Sequence, residues 1–420
     1  MRSRRDSDVG RIDAVTFLDV TLPTLLADPP VGLPSPAELE LRPLLLHVGD
    51  RSWELRREGD GRFSVDRSVA PVADEDRPIE DRPIEDRRIE VRLTAEQVHE
   101  LAVDQVTPIG LMTAGTLDMV RGRIGRLLDW WLVWRSVLDA VPIHRPGAVE
   151  VPADLDRSFT LDDDPDEILC FLESAGFVHL RGVFDAEEME RISVEMDAAV
   201  GSYSPRDGKS WWATVEDGTE RLVRMQRFEQ CSPAVAALLE DPRLSRIAAI
   251  AGCGHHLDWS YENRVEALFK PIGVVSGISD VPWHKDCSLG RHSYECCSLT
   301  VGISVTGAGP TSGQLRVVAG SHRALVWPSL LDVGSLDLPD VALATETGDV
   351  TVHLSCTLHM AQAPTEAERR VLYTGFRLPS DDADARSSNR RLLKAAREGA
   401  PLNTSQASRR VPSPEEEAQS

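Results

Sequence analysis

The chain has 420 residues, of which 41% are hydrophobic and 27% are charged, and its formal net charge is −22. This length favours two folded units, because single hydrophobic cores seldom grow so large. The negative charge argues against nucleic acid or an anionic membrane surface as a partner. No apolar run reaches the roughly 18–20 residues that a membrane-spanning helix needs, and no apolar signal core follows the charged N-terminus. We therefore expect a cytoplasmic protein without membrane insertion.

The N-terminal third combines short β-type runs with helices. Turn residues separate runs that predict strands at 44–48, 53–56, 63–65, 89–93 and 117–121. Thr94 and Gln97 form a capping box that begins one helix. Apolar residues at spacings of three and four predict a longer helix over 123–140. Its tryptophans, Trp131 and Trp134, belong either to the core or to the wall of an apolar pocket.

A charged five-residue pattern repeats three times over 76–90, with proline in its first two copies. So short a period suits an exposed loop better than a solenoid. Around this insertion, the segments 93–97, 107–108 and 113–122 resemble the sterol-carrier-protein-like fold. The resemblance implies a small α/β domain over 1–145 that binds or presents a hydrophobic ligand.

A proline-containing linker over 146–157 precedes a second predicted domain over 158–380. Its helices are predicted at 165–175 and after the capping box of Asp185 and Glu188. Its β-type runs lie at 177–181, 265–270, 298–305, 314–318, 349–354 and 370–376. Many strands separated by turn residues favour an antiparallel barrel or jelly roll, and an α+β fold for the whole chain. The polar segment 381–420 is predicted to be a disordered tail.

Two histidines and one carboxylate are the main candidates for chemistry. His284 and Asp286 lie two positions apart, and His359 follows 75 residues later. This donor set is typical of mononuclear iron(II) sites with open positions. Eleven histidines and 68 acidic residues predict about two His-x-acid matches by chance, and the other match is His256 with Asp258. We prefer the first pair because residues i and i+2 of a strand face the same side, whereas His256 follows a helical stretch.

The order and spacing of several motifs resemble the phytanoyl-CoA dioxygenase family of iron(II)- and 2-oxoglutarate-dependent oxygenases. The motifs that carry the resemblance lie at 176–183, 283–286, 313–323, 348–353 and 358–359. The resemblance covers about 174–377 and implies a double-stranded β-helix with flanking helices. It also implies that His284, Asp286 and His359 bind Fe(2+), and that 2-oxoglutarate and O2 are co-substrates.

A guanidinium beside the metal suits the far carboxylate of 2-oxoglutarate, which it can bind in a bidentate manner. Arg370 takes this role by the family's spacing from His359, and Lys270 is a further co-substrate contact by the same resemblance. Arg369 competes for the role, since alternate residues of a strand face opposite sides.

Further residues are expected to support the site or to line its mouth. Trp283, His322 and His353 are candidates for a supporting shell around the ligands. Four residues of a stretch that often covers the site mouth in this fold are tentative substrate contacts, namely Trp211, Trp212, Arg224 and Arg227. Equally, these four could provide packing and surface ion pairs.

The sequence thus predicts a dioxygenase that hydroxylates an unactivated C–H bond of a small molecule, either a metabolite or a hydrophobic or acyl compound. By the family resemblance, the presence of Asp286 argues against halogenation, because halogenating relatives lack this carboxylate. Two alternatives come from other classes of protein. One is a zinc-dependent hydrolase with the same ligands, and the other is a non-catalytic protein that binds lipid through its N-terminal domain.

Overall fold

The computed structural model describes most of the chain, and the segments that it covers are 10–27, 41–59, 62–68, 88–259, 262–277, 282–290, 298–329 and 332–378. Most of the charged repeat at 76–90 and the whole predicted tail at 381–420 lie outside the described residues. Within the described segments, no helix is long and apolar enough to cross a membrane. Two large apolar cores are formed, one mainly from residues before 144 and one from residues after 158. The domain boundaries given above stay predictions.

The N-terminal elements contain one mixed sheet. Its strands are β1 (Leu44–Val48), β2 (Arg51–Arg57), β3 (Phe63–Arg67), β4 (Ile89–Leu93) and β5 (Asp118–Arg121). Their order is β3-β2-β1-β4-β5, with β1 antiparallel to β2 and parallel to β4. The five predicted strands are confirmed to within two residues at either end.

Helices complete the N-terminal core. They are α1 (Ala14–Thr16), a π-helical turn (Phe17–Thr21), α2 (Leu22–Ala27), α3 (Ala95–Ala102), α4 (Pro108–Thr113) and α5 (Ile124–Asp139). The capping box of Thr94 and Gln97 begins α3 as predicted. Trp131 and Trp134 of α5 are buried in the apolar core, where Trp134 packs edge-on against Phe17. We call these elements the N-terminal unit; its resemblance to sterol carriers stays a prediction.

The described part of the second group of elements contains two antiparallel sheets and four α-helices. The helices are α6 (Pro165–Ala175), α7 (Ala186–Ala199), α8 (Pro233–Leu238) and α9 (Pro242–Ala249). The strands are β6 (Phe177–Leu180), β7 (Ser210–Val215), β8 (Glu220–Met225), β9 (His256–Leu257), β10 (Glu266–Lys270), β11 (Val274–Gly277), β12 (Leu299–Ser304), β13 (Leu315–Val318), β14 (Asp340–Leu343), β15 (Val350–Leu354), β16 (His359–Ala361) and β17 (Arg369–Arg377).

The larger sheet has the order β11-β7-β8-β10-β17-β12-β15-β6, and β9 pairs with β17 at its side. The smaller sheet has the order β14-β13-β16. Isolated bridges from His284 to His359 and to Ser329 extend it. Two such antiparallel sheets with flanking helices fit the predicted jelly roll.

Alternate residues of β12 separate the two faces of the larger sheet. Leu299, Val301 and Ile303 point into the apolar core that includes α6 and α7. Thr300 points the other way, and its hydroxyl donates to Asp286. We call these the helix face and the inner face. Directly opposite residues of an antiparallel pair share a face, so the strand register assigns the neighbouring strands as well.

Candidate metal centre

His284, Asp286 and His359 converge on one point at the inner face. One potential ligand atom from each lies within 4.8 Å of the other two. Nε2 of His284 is 3.7 Å from Oδ1 of Asp286, and Nε2 of His359 is 3.5 Å from the same oxygen. The ring centroids of the two histidines are 4.3 Å apart. The structure therefore brings the three predicted ligands together.

The backbone and two carbonyl groups orient the ligand histidines. The N–H of His284 and that of His359 each donate to the other's carbonyl oxygen, with both N···O distances 3.0 Å. Nδ1 of His284 lies 2.7 Å from the carbonyl oxygen of Pro282, and Nδ1 of His359 lies 3.0 Å from that of Thr357. A carbonyl oxygen only accepts, so each Nδ1 carries the proton. Both Nε2 atoms therefore keep a lone pair for a metal.

Two neighbours hold the second oxygen of the Asp286 carboxylate. The hydroxyl of Thr300 donates to Oδ2 over 2.5 Å, and Nε2 of His353 lies 3.5 Å from that oxygen. The ring of His353 also lies 4.2 Å, between centroids, from the ring of His359. Oδ1 is thereby directed at the two ligand histidines. His353 was a predicted supporting residue, whereas Thr300 was missed, although a hydroxyl among alternating apolar residues was an available signal.

The surroundings favour the protonation states that metal binding requires. Burial lowers the pKa of both His284 and His359, and the charges of neighbouring histidines lower that of His359 further. Burial would raise the pKa of Asp286, but its interactions with His359, His353 and His284, among them a hydrogen bond from His353, outweigh burial and hold the pKa well below its usual value. Near neutral pH, the site therefore presents two neutral imidazoles and one carboxylate.

Lys285 fixes the segment between His284 and Asp286 from its far side. Its side chain is fully buried, and Nζ donates to the carbonyl oxygens of Ser321 and Ala324 over 3.1 and 3.3 Å. Its backbone N–H donates to the carbonyl of Pro328 over 2.9 Å. Lys285 thus points away from the two ligands beside it, as strand alternation predicts.

The donor set fits a non-haem iron(II) ion. Two imidazole nitrogens and one carboxylate oxygen are the facial set that leaves other coordination positions open. The side chain of Asp286 is 32% exposed and that of His284 is 20% exposed, whereas His359 is deeper at 8%. The site is therefore accessible from the side of Asp286, where further small ligands can approach.

Arg370, the predicted 2-oxoglutarate anchor, points away from the metal centre. It pairs with Phe269 in the register of β10 with β17, and both lie on the helix face. Its Nη1 donates to Oδ2 of Asp197 over 2.8 Å and to Oγ of Ser193 over 2.9 Å, both on α7. The assignment to Arg370 is therefore corrected. Spacing from His359 counts loop residues, whereas the register of the strand decides which face a residue occupies.

Arg369 lies on the inner face, opposite Lys270 in the same register. The two cations are 2% and 3% exposed, respectively. Nη1 of Arg369 donates to the carbonyl oxygen of Gly313 over 2.8 Å. Farther along β17 on the same face, Gly375 lies opposite Thr300, the residue that holds the metal-site carboxylate. Two buried cations thus share a face with the metal centre.

Two of the four proposed substrate contacts, Trp211 and Arg224, lie on the inner face. They are partners in the register of β7 with β8, and the guanidinium lies 4.2 Å from the indole centroid. Arg224 is opposite Leu268 of β10 and forms an ion pair with Glu266. Next to burial, the charge of Arg224 is among the influences that lower the pKa of His284. This pair can therefore form a wall of the site.

The other two, Trp212 and Arg227, lie elsewhere. Trp212 pairs with Leu222 and packs against the apolar core of the helix face, and its Nε1 donates to Ser210 over 2.9 Å. Arg227 is 45% exposed and forms an ion pair with Glu262. These contacts match the alternative that the sequence left open for the two residues, namely packing for Trp212 and a surface ion pair for Arg227.

Trp283 and His322 hold the surroundings of the ligands. Trp283 is buried in a small apolar cluster with Leu358. Trp283 directly precedes His284 in the chain, and Leu358 directly precedes His359. Nε2 of His322 lies 2.9 Å from the carbonyl oxygen of Glu173 in α6. Burial lowers the pKa of His322 to about 4. The neutral ring therefore links α6 to the segment that follows β13.

Comparisons with known proteins agree with the predicted family. Residues 172–371, just under half of the chain, match the model of a family described as phytanoyl-CoA dioxygenase (PhyH). The matched segment contains all three ligands and Arg369. No curated protein matches the sequence.

Several solved structures are similar over the same part of the chain. AviO1 from Streptomyces viridochromogenes Tue57 is 21% identical, with 51% of this chain and 96% of that chain covered and a TM-score of 0.41. EctD from S. alaskensis, with 2-oxoglutarate and 5-hydroxyectoine, is 18% identical, with 57% and 86% covered and a TM-score of 0.42. The epimerase SnoN, with Fe3+, alpha ketoglutarate and nogalamycin RO, is 20% identical, with 53% and 88% covered and a TM-score of 0.40. Similarity at this level does not indicate a shared substrate.

Proposed function

We propose that the chain is a non-haem iron(II)- and 2-oxoglutarate-dependent enzyme that hydroxylates an unactivated C–H bond of a small molecule. The match of residues 172–371 to the phytanoyl-CoA dioxygenase family model supports this proposal. The substrate, dioxygen and 2-oxoglutarate give the alcohol, succinate and carbon dioxide. The observation that carries the proposal is the convergence of His284, Asp286 and His359 on the inner face. The cofactor set that the sequence predicts, iron(II) with 2-oxoglutarate and dioxygen, fits both the family and this cluster.

The three ligands would hold iron through Nε2 of His284, Oδ1 of Asp286 and Nε2 of His359. Bound iron together with 2-oxoglutarate supplies the activation of dioxygen. The protein keeps both imidazoles neutral through burial, and Thr300 holds the carboxylate in place. Its further task is to orient the C–H bond and to exclude competing water.

Arg369 is the better anchor for the far carboxylate of 2-oxoglutarate. Its Nε is buried and has no hydrogen-bond partner in the part of the chain that the structure describes. A buried donor of this kind is costly unless a ligand satisfies it. The bidentate fork of arginine suits a carboxylate, and Lys270 beside it adds a second positive charge. A carboxylate would therefore be attracted to this end of the inner face.

Trp211 and Arg224 form the wall at which we place the organic substrate. The indole offers a flat apolar surface, and the guanidinium stacked on it is balanced by Glu266. Such a wall favours a flat or partly apolar small molecule with a hydrogen-bond acceptor. A fully anionic substrate is less suited, because the charge of Arg224 is already neutralised.

The first test is reconstitution of metal-free protein with iron(II) under anaerobic conditions. Addition of 2-oxoglutarate to the iron-loaded protein is expected to give a visible charge-transfer band. A zinc-dependent hydrolase has no need to bind 2-oxoglutarate at its metal and would show no such band. Lipid extraction without detergent tests the non-catalytic alternative. Iron-loaded protein without such a band would contradict the proposal.

The second test is a screen of candidate metabolites for stimulated succinate release. The expected result is tight coupling, with one hydroxylated product formed for each succinate. A matched preparation of Arg224→Ala should lose stimulation by the true substrate but keep the charge-transfer band. Succinate release that no compound stimulates, together with hydrolysis by zinc-loaded protein, would favour the hydrolase.

A further inference from the structure

The N-terminal unit contacts the turn that carries Asp286. We call residues 286–290 the ligand turn. The hydroxyl of Thr107, just before α4, donates to the carbonyl oxygen of Ser288, and its backbone N–H donates to that of Leu289 over 3.4 Å. Thr107 is fully buried, and its hydroxyl oxygen also accepts from the N–H of Gly110 over 3.0 Å. One side chain thus begins α4 and binds the chain two residues after a metal ligand.

Two glycines allow the backbones to approach at this contact. A Cβ atom on Gly110 would lie 1.8 Å from the carbonyl oxygen of Leu289. A Cβ atom on Gly290 would lie 2.4 Å from the carbonyl oxygen of Gln105. Both distances are far below van der Waals contact with rigid backbone, so neither position admits a larger residue without movement. The two chains therefore meet backbone to backbone on both sides of Thr107.

A second contact supports the segment that contains His284 and Lys285. Leu325 lies in the apolar core of the N-terminal unit, and Trp327 packs against that core. The same segment continues to Pro328, whose carbonyl accepts from the N–H of Lys285, and to Ser329, which bridges to His284. The chain from His284 through the ligand turn is therefore held at both ends by contacts that lead to the N-terminal unit.

The loop that presents Thr107 is itself braced. Arg135 of α5 is fully buried, and its Nη2 donates to the carbonyl oxygen of Ala102 over 2.6 Å. Its Nη1 lies 3.7 Å from Oδ1 of Asp104, a residue with a left-handed backbone (φ 64°). The segment between α3 and α4 is therefore joined to α5 by a buried arginine.

We propose that the N-terminal unit is a positioning element of the metal centre, in which Thr107 and Gly110 hold the ligand turn so that Asp286 meets His284 and His359. The inference rests on the proposed function in taking these three residues as metal ligands. Displacement of the carboxylate weakens its bond to the metal, and groups that orient metal ligands typically contribute 10–100-fold to metal affinity.

The test is an anaerobic titration of metal-free, full-length protein with Co(II), whose visible absorption reports both affinity and coordination. Thr107→Val removes the hydroxyl at nearly constant shape, and Gly110→Ala forces the ligand turn away. Both are expected to weaken Co(II) binding about tenfold or more and to change the Co(II) spectrum. Thr107→Ser keeps the hydroxyl donor, so its Co(II) affinity and spectrum should match those of the original protein.

Matched controls separate positioning from general destabilisation. Thr113→Val removes another hydroxyl of α4, which donates to the carbonyl of Ile109 within the same helix. Gly201→Ala adds a Cβ atom that meets nothing within 4 Å. Both should bind Co(II) like the original protein. Circular dichroism and thermal unfolding establish which variants are folded, and Gly290→Ala replaces Gly110→Ala if the latter does not fold.

The Co(II) titration distinguishes failure of the positioning role from failure of the metal site itself. Folded Thr107→Val and Gly110→Ala with unchanged Co(II) affinity and spectrum would overturn the positioning role, even if their melting temperatures fall. A tenfold loss of Co(II) affinity in Thr107→Val that does not occur in Thr107→Ser supports the positioning role. Original protein that binds no Co(II) at all would instead contradict the metal site, and with it the proposed function.

Discussion

The two faces of β12 show how one strand serves both the fold and the site. On the helix face, Leu299, Val301 and Ile303 are apolar and at most 1% exposed. On the inner face, Thr300 holds the metal-site carboxylate, and Gly302 lets a neighbouring side chain approach, since a Cβ there would lie 3.0 Å from the ring of Tyr373. Side-chain alternation therefore assigns stability to one face and chemistry to the other. Substitutions on the two faces should accordingly change different measured quantities.

Removal of an inner-face ligand should have the largest effect. Asp286→Ala is expected to abolish stable iron(II) binding and substrate-dependent succinate formation, because two neutral imidazoles alone retain the metal poorly. Metal analysis after anaerobic reconstitution, with a succinate assay, measures both. The matched control is Asp258→Ala in the competing His-x-Asp pair, whose His256 is exposed on β9. Equal metal content in the two variants would contradict the assignment of Asp286 as a metal ligand.

The two adjacent arginines offer the sharpest comparison of the faces. Arg369→Ala should raise the apparent 2-oxoglutarate requirement roughly 100-fold, which corresponds to about 3 kcal/mol for a buried charge pair. Arg370→Ala should leave this requirement unchanged, since its guanidinium binds Asp197 on α7. Its ion pair is partly exposed and contributes at most about 1 kcal/mol to stability. The initial-rate dependence on 2-oxoglutarate measures both. The reverse result would return the anchor role to Arg370.

Local patterns were sufficient to predict most elements and the first two metal ligands. The capping boxes at Thr94 and Asp185 begin helices as predicted, because capping depends on residues three positions apart. The pair of His284 and Asp286 could be chosen over the competing pair because strand alternation is also local. The distal ligand, His359, was predicted from its spacing after His284 together with the family resemblance, since nothing local shows which strands will meet across a barrel.

Features that depend on register or on contacts between distant segments could not be predicted. The face of Arg370 depends on how a loop joins β16 to β17, which the spacing from His359 does not reveal. The turn after Asp286 binds Thr107, 181 positions away in the chain, and no sequence pattern links the two. Backbone carbonyls, which fix both ligand histidines, are equally invisible in a sequence because every residue carries one.

A helix-face substitution should reduce stability without changing the site. Val301→Ala is expected to lower the free energy of unfolding by about 2 kcal/mol, because it leaves a cavity at a fully buried position. Urea unfolding measures this change, and kcat/KM at a temperature where the variant is folded should match the original protein. Val275→Ala, at a position that is 57% exposed on β11, is the control and should change stability little. A fall in kcat/KM for Val301→Ala would mean that the two faces are coupled.

Thr300, which is next to Val301 but lies on the inner face, should affect metal affinity and not stability. The expected change in free energy is smaller than for Val301→Ala. Thr300→Val keeps the shape but removes the donor to Asp286, so metal affinity should fall about tenfold, or roughly 1.4 kcal/mol, with little change in unfolding. The control is Thr374→Val, since Thr374 lies opposite Val301 on the helix face and its hydroxyl has no hydrogen-bond partner among the described residues. Loss of that unsatisfied hydroxyl should leave metal affinity unchanged and stability equal or higher. Co(II) titration and urea unfolding of the two variants decide the point, and equal metal affinities would show that the inner-face hydroxyl does not position the carboxylate.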